Sequence, residues 1–176
     1  MDYIIGTADT THQSPNKFSG REGRLIEAVV VHKAEGAAES TMTYLSDPAT
    51  QKSYHFIIDM VGKVFNLVPM SDTAWHAGIV DRPTWPQIIP NKNPNLYTVG
   101  VSLAGFAAEK HTPQQFDALV RLIADILDLN GLDANEDTII FHREINGGKV
   151  CPGFLLDKNR IIIAVKGLQI AMKANV

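Results

Sequence analysis

Apolar residues along this chain fall into two rhythms: short unbroken runs, and longer stretches in which they recur every three or four positions. The unbroken runs Ala28-Val29-Val30-Val31-His32 and Tyr97 to Leu103 read as strands buried on both faces. Tyr54 to Asp59 and Lys63 to Val68, joined through Val61-Gly62, read as a hairpin, and Thr138 to His142 as a further short strand. Phe116, Leu119, Val120, Ile123, Ile126 and Leu127 keep helical spacing and predict a helix over Pro113 to Asn130. Its start is marked by Thr112 as N-cap, Pro113 at the first position and Gln115 closing a capping box; Gly131 ends it. Two more helices are expected, Ala37 to Leu45 before Asp47-Pro48, and 158–174 capped by Asp157. Strands and helices interleave, so the pattern predicts one α/β domain over 1–176 with helices packed on a sheet. Residues 1–24 are turn-rich and read as an irregular surface arm. Ile79 to Asn95, with four prolines, reads as a long loop of the kind that is usually functional or mobile.

Composition narrows the partners. The 176 residues suit a single domain, and 45% apolar content can fill its core without staples. A net charge of -3 with scattered Lys and Arg gives no field for nucleic acid. Cys151 is the one cysteine, so no intrachain disulfide can form. Met1 to Gly6 lack the basic and apolar regions of a signal peptide, which leads to an expectation of cytoplasmic synthesis. No apolar run approaches the roughly 18–20 residues of a membrane span. Arg160, Lys166 and Lys173 flank apolar residues of the last helix. A basic amphipathic helix can disturb a membrane, but the apolar positions are broad enough to favour packing on the sheet, so no stable membrane association is expected.

The candidate chemistry lies at strand ends. His32 closes one predicted strand, His142 another, and Cys151 follows His142 by nine residues across a glycine-rich turn. Two imidazoles and a thiolate would give zinc three ligands and leave the fourth position open, as catalytic sites require. Spacing alone is weak here, because 110 positions separate the two histidines; a strand-end histidine and a buried cysteine are the bland alternatives. Tyr54 begins a strand, which would put it on one face with Phe56 and Ile58 and turn His55 to the other. Its hydroxyl could hold a water or substrate oxygen, or the ring could simply fill the rim of the core. Lys149, two residues before Cys151, could stabilise charge on a carbonyl oxygen or be solvated surface. Trp75 and His76, set among small residues, suit a groove for sugar or peptide, and Trp75 reads equally well as core. His12, His55 and His111 have no partner pattern and read as structural or surface.

Five ordered blocks then carry a resemblance. Val29-Val30-Val31-His32-Lys33-Ala34-Glu35-Gly36, Tyr54-His55-Phe56-Ile57-Ile58, Ala74-Trp75-His76-Ala77-Gly78, Val99-Gly100-Val101-Ser102, and Phe141-His142-Arg143 through Lys149-Val150-Cys151-Pro152-Gly153 together resemble the type 2 N-acetylmuramoyl-L-alanine amidases. That family shares its fold with peptidoglycan recognition proteins and amidase-type phage lysozymes. The resemblance covers roughly residues 14–156 and implies a central mixed β-sheet flanked by α-helices. It implies His32, His142 and Cys151 as Zn2+ ligands, Tyr54 and Lys149 as catalytic groups, and His76, with Trp75 beside it, on the substrate groove. Two positions depart from the common pattern. Ser102 stands where many members carry a catalytic glutamate, which shifts weight onto Tyr54 and Lys149. Cys151 stands where many bacterial enzymes carry aspartate, and with Lys149 it is more similar to the phage lysozymes and the catalytic recognition proteins.

The resemblance implies hydrolysis of the amide between N-acetylmuramic acid and L-alanine of bacterial peptidoglycan. Zinc would activate water, Lys149 would stabilise the oxyanion and Tyr54 would orient the water. The favoured role is a monomeric phage endolysin, made in the host cytoplasm and reaching the wall after the membrane is breached. A cytosolic amidase recycling soluble muropeptides is the alternative within the same chemistry. A non-catalytic peptidoglycan-binding module is the alternative outside it.

Overall fold

Unbroken apolar runs can be stable as strands only when both faces of the sheet are covered, and the computed structural model shows this arrangement. It describes residues 4–174; the first three residues of the expected arm and the last two of the chain lie outside the described residues. In chain order the elements are β1 (Lys17–Phe18), β2 (Ala28–Lys33), α1 (Ala38–Leu45), β3 (Phe56–Ile58), β4 (Val64–Asn66), β5 (Thr73–Ala74), β6 (Thr98–Leu103), α2 (Pro113–Leu129), β7 (Ile139–Phe141), α3 (His142–Ile145) and α4 (Lys158–Lys173). Five strands form one sheet in the order β4-β3-β6-β2-β7. Only the β3–β4 hairpin is antiparallel; β3–β6, β6–β2 and β2–β7 are parallel, so the sheet is mixed as expected.

Side chains alternate across this sheet. Val29, Val31, Val99, Val101, Phe56, Ile58, Ile139 and Phe141 face α2 and α4, packing on Leu119, Leu122, Ile123, Ile126, Ile161 and Val165. Ala28, Val30 and Ile140 face the other way, onto Trp85 and Tyr97 of the 79–97 segment. Ile57 also faces that way, onto Met42 and Leu45 of α1. His32 follows Ala28 and Val30 onto this second face. That parity puts the first candidate ligand on the side not covered by the two long helices.

The predicted helix signals hold in atomic detail. Thr112 Oγ1 accepts from the Gln115 N–H at 3.0 Å, and Gln115 Oε1 accepts from the Thr112 N–H at 3.2 Å. Asp157 caps α4 by accepting from the Arg160 N–H. Helix α4 buries Ile161, Ile162 and Val165 in the core it shares with α2. Among the described residues no helix is long and apolar enough to cross a membrane.

Several local readings need correction. Tyr54 lies before β3 rather than in it, and it packs with Ile57 and α1, not with Phe56 and Ile58. Strand parity cannot be extended past the point where ladder pairing begins. His142 does not end a strand; it opens the short helix α3, whose start is held by Glu144 Oε2 accepting from the Phe141 N–H at 2.7 Å. The arm is also more than a wrapping. Lys17 and Phe18 pair with β5, and Ser14, Asn16 and Arg21 are buried. Arg21 donates to the carbonyls of Asn95, Leu96 and Thr98 at 3.1–3.3 Å, which ties the arm beneath the start of β6.

Candidate active site

The three sequence-distant ligands meet because β2 is hydrogen-bonded to both β6 and β7. His32 pairs in register with Ser102, and Val31 with Phe141, so His142 emerges immediately beside His32. The rings of His32 and His142 lie 4.7 Å apart at their centres. The turn after α3 then returns Cys151 to the end of β2. There the Lys33 N–H donates to Cys151 Sγ at 3.3 Å, and Sγ lies 3.8 Å from His32 Nδ1. One donor atom from each of His32, His142 and Cys151 lies within 4.8 Å of the others.

This donor set fits zinc. Bonds of about 2.0–2.3 Å in a tetrahedron would hold such atoms roughly 3.3–3.6 Å apart; Cys151 Sγ and His32 Nδ1 are 3.8 Å apart, and all three donors lie within 4.8 Å. The ring orientations fit as well. His142 Nε2 lies 3.1 Å from the Ala77 carbonyl, an acceptor only, so Nε2 carries the proton and Nδ1 keeps its lone pair. Burial, and then the neighbouring His142 and His76, holds the His32 imidazole well below its ordinary pKa. His142 is lowered in the same direction, by burial first, with Lys149 adding to it against the Ala77 carbonyl. Neutral imidazoles are the form that binds a metal. Burial pushes the Cys151 thiol up to about 11, while the Lys33 N–H works the other way.

A cleft of about 480 Å³ opens over these atoms, lined by Tyr54, Trp75, His76, His142, Lys149 and Cys151 among others. That volume falls within the range of small-ligand sites. Tyr54 stacks obliquely on His32, with ring centres 5.0 Å apart. Burial, and then Cys151, raises its phenol well above the ordinary value, so it stays protonated and can donate. Ser102 Oγ is buried without a hydrogen bond of good geometry, although it draws the Tyr54 phenol slightly back toward its ordinary value. Lys149 is exposed at the cleft wall. Trp75 is half-buried, with Phe18 of the arm packed on it at 5.0 Å, and it presents an indole to the cleft. His76 is buried in the cleft floor, and its ring contacts His32 and Thr98.

Tyr54, Trp75, His76, His142, Lys149 and Cys151 therefore border one cleft, and His32 is buried against it beside His142 and Cys151, while His12 and His111 lie outside the lining. Sequence reasoning missed Asn95. It is buried beneath the site, and its Oδ1 accepts from the N–H groups of His76 and Ala77 at 3.0 and 2.8 Å. This fixes the backbone whose Ala77 carbonyl orients His142. An asparagine in a proline-rich loop carries no periodic signal. His55, read from the sequence as structural or surface, is structural: it is fully buried and its Nδ1 accepts from the Gly100 N–H at 3.0 Å.

Comparison with known proteins gives a consistent picture. The model of the family described as N-acetylmuramoyl-L-alanine amidase matches residues 22–154. N-acetylmuramoyl-L-alanine amidase A of Achromobacter lyticus is 30% identical over 83 residues, covering 47% of this chain and 39% of that protein. The matched stretch thus spans well under half the length of that relative. Among solved structures, a selenomethionine derivative of AmpD superposes with a TM-score of 0.74 at 20% identity, covering 94% of this chain and 98% of its own. The endolysin N-acetylmuramoyl-L-alanine amidase LysCS from Clostridium intestinale superposes at 0.56 and 19% identity, covering 100% and 93%. At these identities the structural likeness concerns the fold.

Proposed function

The chain belongs to the N-acetylmuramoyl-L-alanine amidase family, and from that premise we propose that it is a zinc-dependent hydrolase of the amide between N-acetylmuramic acid and L-alanine in bacterial peptidoglycan. The observation that carries this reading is the convergence of His32, His142 and Cys151 within 4.8 Å beneath the cleft. Bound there, zinc would supply a Lewis acid and lower the pKa of a water to about 7.

The chain's own groups divide the remaining work. The Lys149 ammonium, on the cleft wall, is placed to stabilise negative charge that develops on the amide oxygen. The Tyr54 phenol, held protonated by burial, donates to the attacking water or to the substrate oxygen and orients it. Trp75 offers an apolar face at the cleft for a sugar ring or a stem peptide. Ser102 cannot act as a carboxylate base, so proton handling falls to the leaving amine, water and Tyr54.

The role we propose is that of an endolysin acting as a monomer on intact wall once the membrane has been breached. The support is the Cys151 ligand with Lys149 two positions before it, a pattern that resembles the phage lysozymes as well as the catalytic recognition proteins. The test is mass spectrometry of purified peptidoglycan digested by the protein and by its Cys151→Ser variant. Free stem peptides from the unmodified protein alone support the amidase and its third ligand. No release by either, with both still pelleting with the wall, would leave a binding module. Cleavage of soluble muropeptides but not of intact wall would instead favour a recycling role.

A further inference from the structure

His76 lies in the cleft floor against the His32 ring, and its hydrogen bonds run in one direction. His76 Nε2 is 3.3 Å from Thr98 Oγ1, and His76 Nδ1 is 3.1 Å from His32 Nε2. The Thr98 hydroxyl has one proton, which it donates to the Pro94 carbonyl at 2.8 Å. Toward His76 it can therefore only accept. A neutral His76 must then carry its proton on Nε2 and a lone pair on Nδ1. The 3.1 Å contact is in consequence a donation from His32 Nε2–H to His76 Nδ1. That leaves His32 Nδ1, the atom facing Cys151 Sγ at 3.8 Å, with a free lone pair.

We propose that Thr98 and His76 form a relay that fixes the tautomer and ring orientation of His32 for the metal, so that His76 is a positioning residue for this ligand. The proposal rests on the metal site put forward above. The surrounding backbone is built around this ring. The His76 N–H is held by Asn95 Oδ1 at 3.0 Å. Gly100, in the adjacent strand β6, leaves the space the ring occupies: a Cβ there would lie 2.8 Å from both Cδ2 and Nδ1 of His76. Gly100 cannot withdraw, since its N–H donates to His55 Nδ1 and its carbonyl accepts from the His55 N–H, both at 3.0 Å. Glycine is thus required at position 100 by the packing of His76 against β6, although its backbone is ordinary extended strand.

Substitution by residues of similar volume separates this role from packing. Asparagine places its Oδ1 near the position of imidazole Nδ1 and keeps the acceptor. Leucine fills the space without one. Glutamine carries an amide but displaces it toward the Nε2 position. Zinc affinity is measured by competition with a chromophoric chelator, the cobalt(II) visible spectrum reports ligand geometry, and circular dichroism of the metal-free chains reports folding. His76→Leu is expected to weaken zinc binding about 10–100-fold and to alter the cobalt spectrum, with His76→Asn restoring most of both. His76→Gln is expected to behave like leucine, and it serves if the leucine chain does not fold. Unchanged zinc affinity in a folded His76→Leu or His76→Gln chain would overturn the relay. Equal loss in all three variants would also overturn it, because it would make the ring mere packing. If the unmodified protein fails to bind zinc, the metal reading itself falls and the relay with it; zinc bound normally by the unmodified chain and by His76→Leu sinks the relay alone.

Discussion

The backbone N–H of Lys33, the last residue of β2, donates to Cys151 Sγ across 3.3 Å, joining positions 118 apart in the chain. This contact docks the glycine-rich turn on the sheet and gives the sulfur a donor that favours its anionic form. It explains how a flexible segment delivers a ligand to a rigid strand end. Cys151→Ser keeps a donor-acceptor group there but loses the soft thiolate. Zinc affinity of that variant is expected to fall more than the 10–100-fold typical of losing an outer partner, with the fold retained. Equilibrium competition with a chelator checks it, and normal affinity would remove Cys151 from the ligand set.

Lys149 lines the cleft without ligating. Lys149→Ala is expected to keep its zinc, by metal analysis of the dialysed protein, and to lose about 10²–10³ in kcat on a muropeptide substrate. Retained turnover in the zinc-loaded variant would take the ammonium out of the mechanism.

Asn95 holds two backbone donors with a single oxygen. Asn95→Ala leaves both N–H groups buried and unpaired, at about 1–3 kcal/mol each. Unfolding in urea is expected to show a loss of about 2–6 kcal/mol on that basis. Zinc should also bind more weakly, because the Ala77 carbonyl that orients His142 belongs to the same loosened backbone. Asn95→Asp, which keeps an acceptor oxygen, should be milder on both counts.

The buried His55 gives the stability a pH dependence. Burial, and then Arg21, lowers its folded-state pKa to about 3, whereas in the unfolded chain it titrates near 6.5. Between those values the unfolded chain binds a proton that the folded chain refuses. Stability from this group is therefore full above pH 6.5 and declines as pH falls toward 3, by about 1.4 kcal/mol per unit. His32 and His76 are shifted in the same direction. His55→Gln removes one titrating group, so its drop in unfolding free energy from pH 7 to pH 5 is expected to be smaller by about 2 kcal/mol. Equal drops in the two proteins would show that His55 is not excluded from protonation as the fold implies.

Much of this molecule is legible in its sequence, because the signals involved are local. The Thr112/Gln115 capping box and the helical spacing from Phe116 to Leu127 are satisfied within α2 itself. The unbroken runs at 28–32 and 97–103 need only a sheet covered on both faces, whatever its strand order. Ordered motif blocks were enough to name His32, His142 and Cys151 together. Other features depend on groups far apart in the chain. The placing of β2 between β6 and β7 sets His142 beside His32. The face that Tyr54 takes is decided by where β3 begins pairing. Asn95, Arg21 and His55 matter because a buried backbone donor or carbonyl must find a partner wherever one is, and no period in the sequence records which one. His76 shows the division most clearly. As one residue of an Ala-Trp-His-Ala-Gly block it reads as groove lining, and only the packed neighbours Thr98, Gly100 and His32 decide what each of its ring nitrogens can do. Periodicity encodes which face is buried, whereas the satisfaction of buried polar atoms is settled only when the distant segments have met.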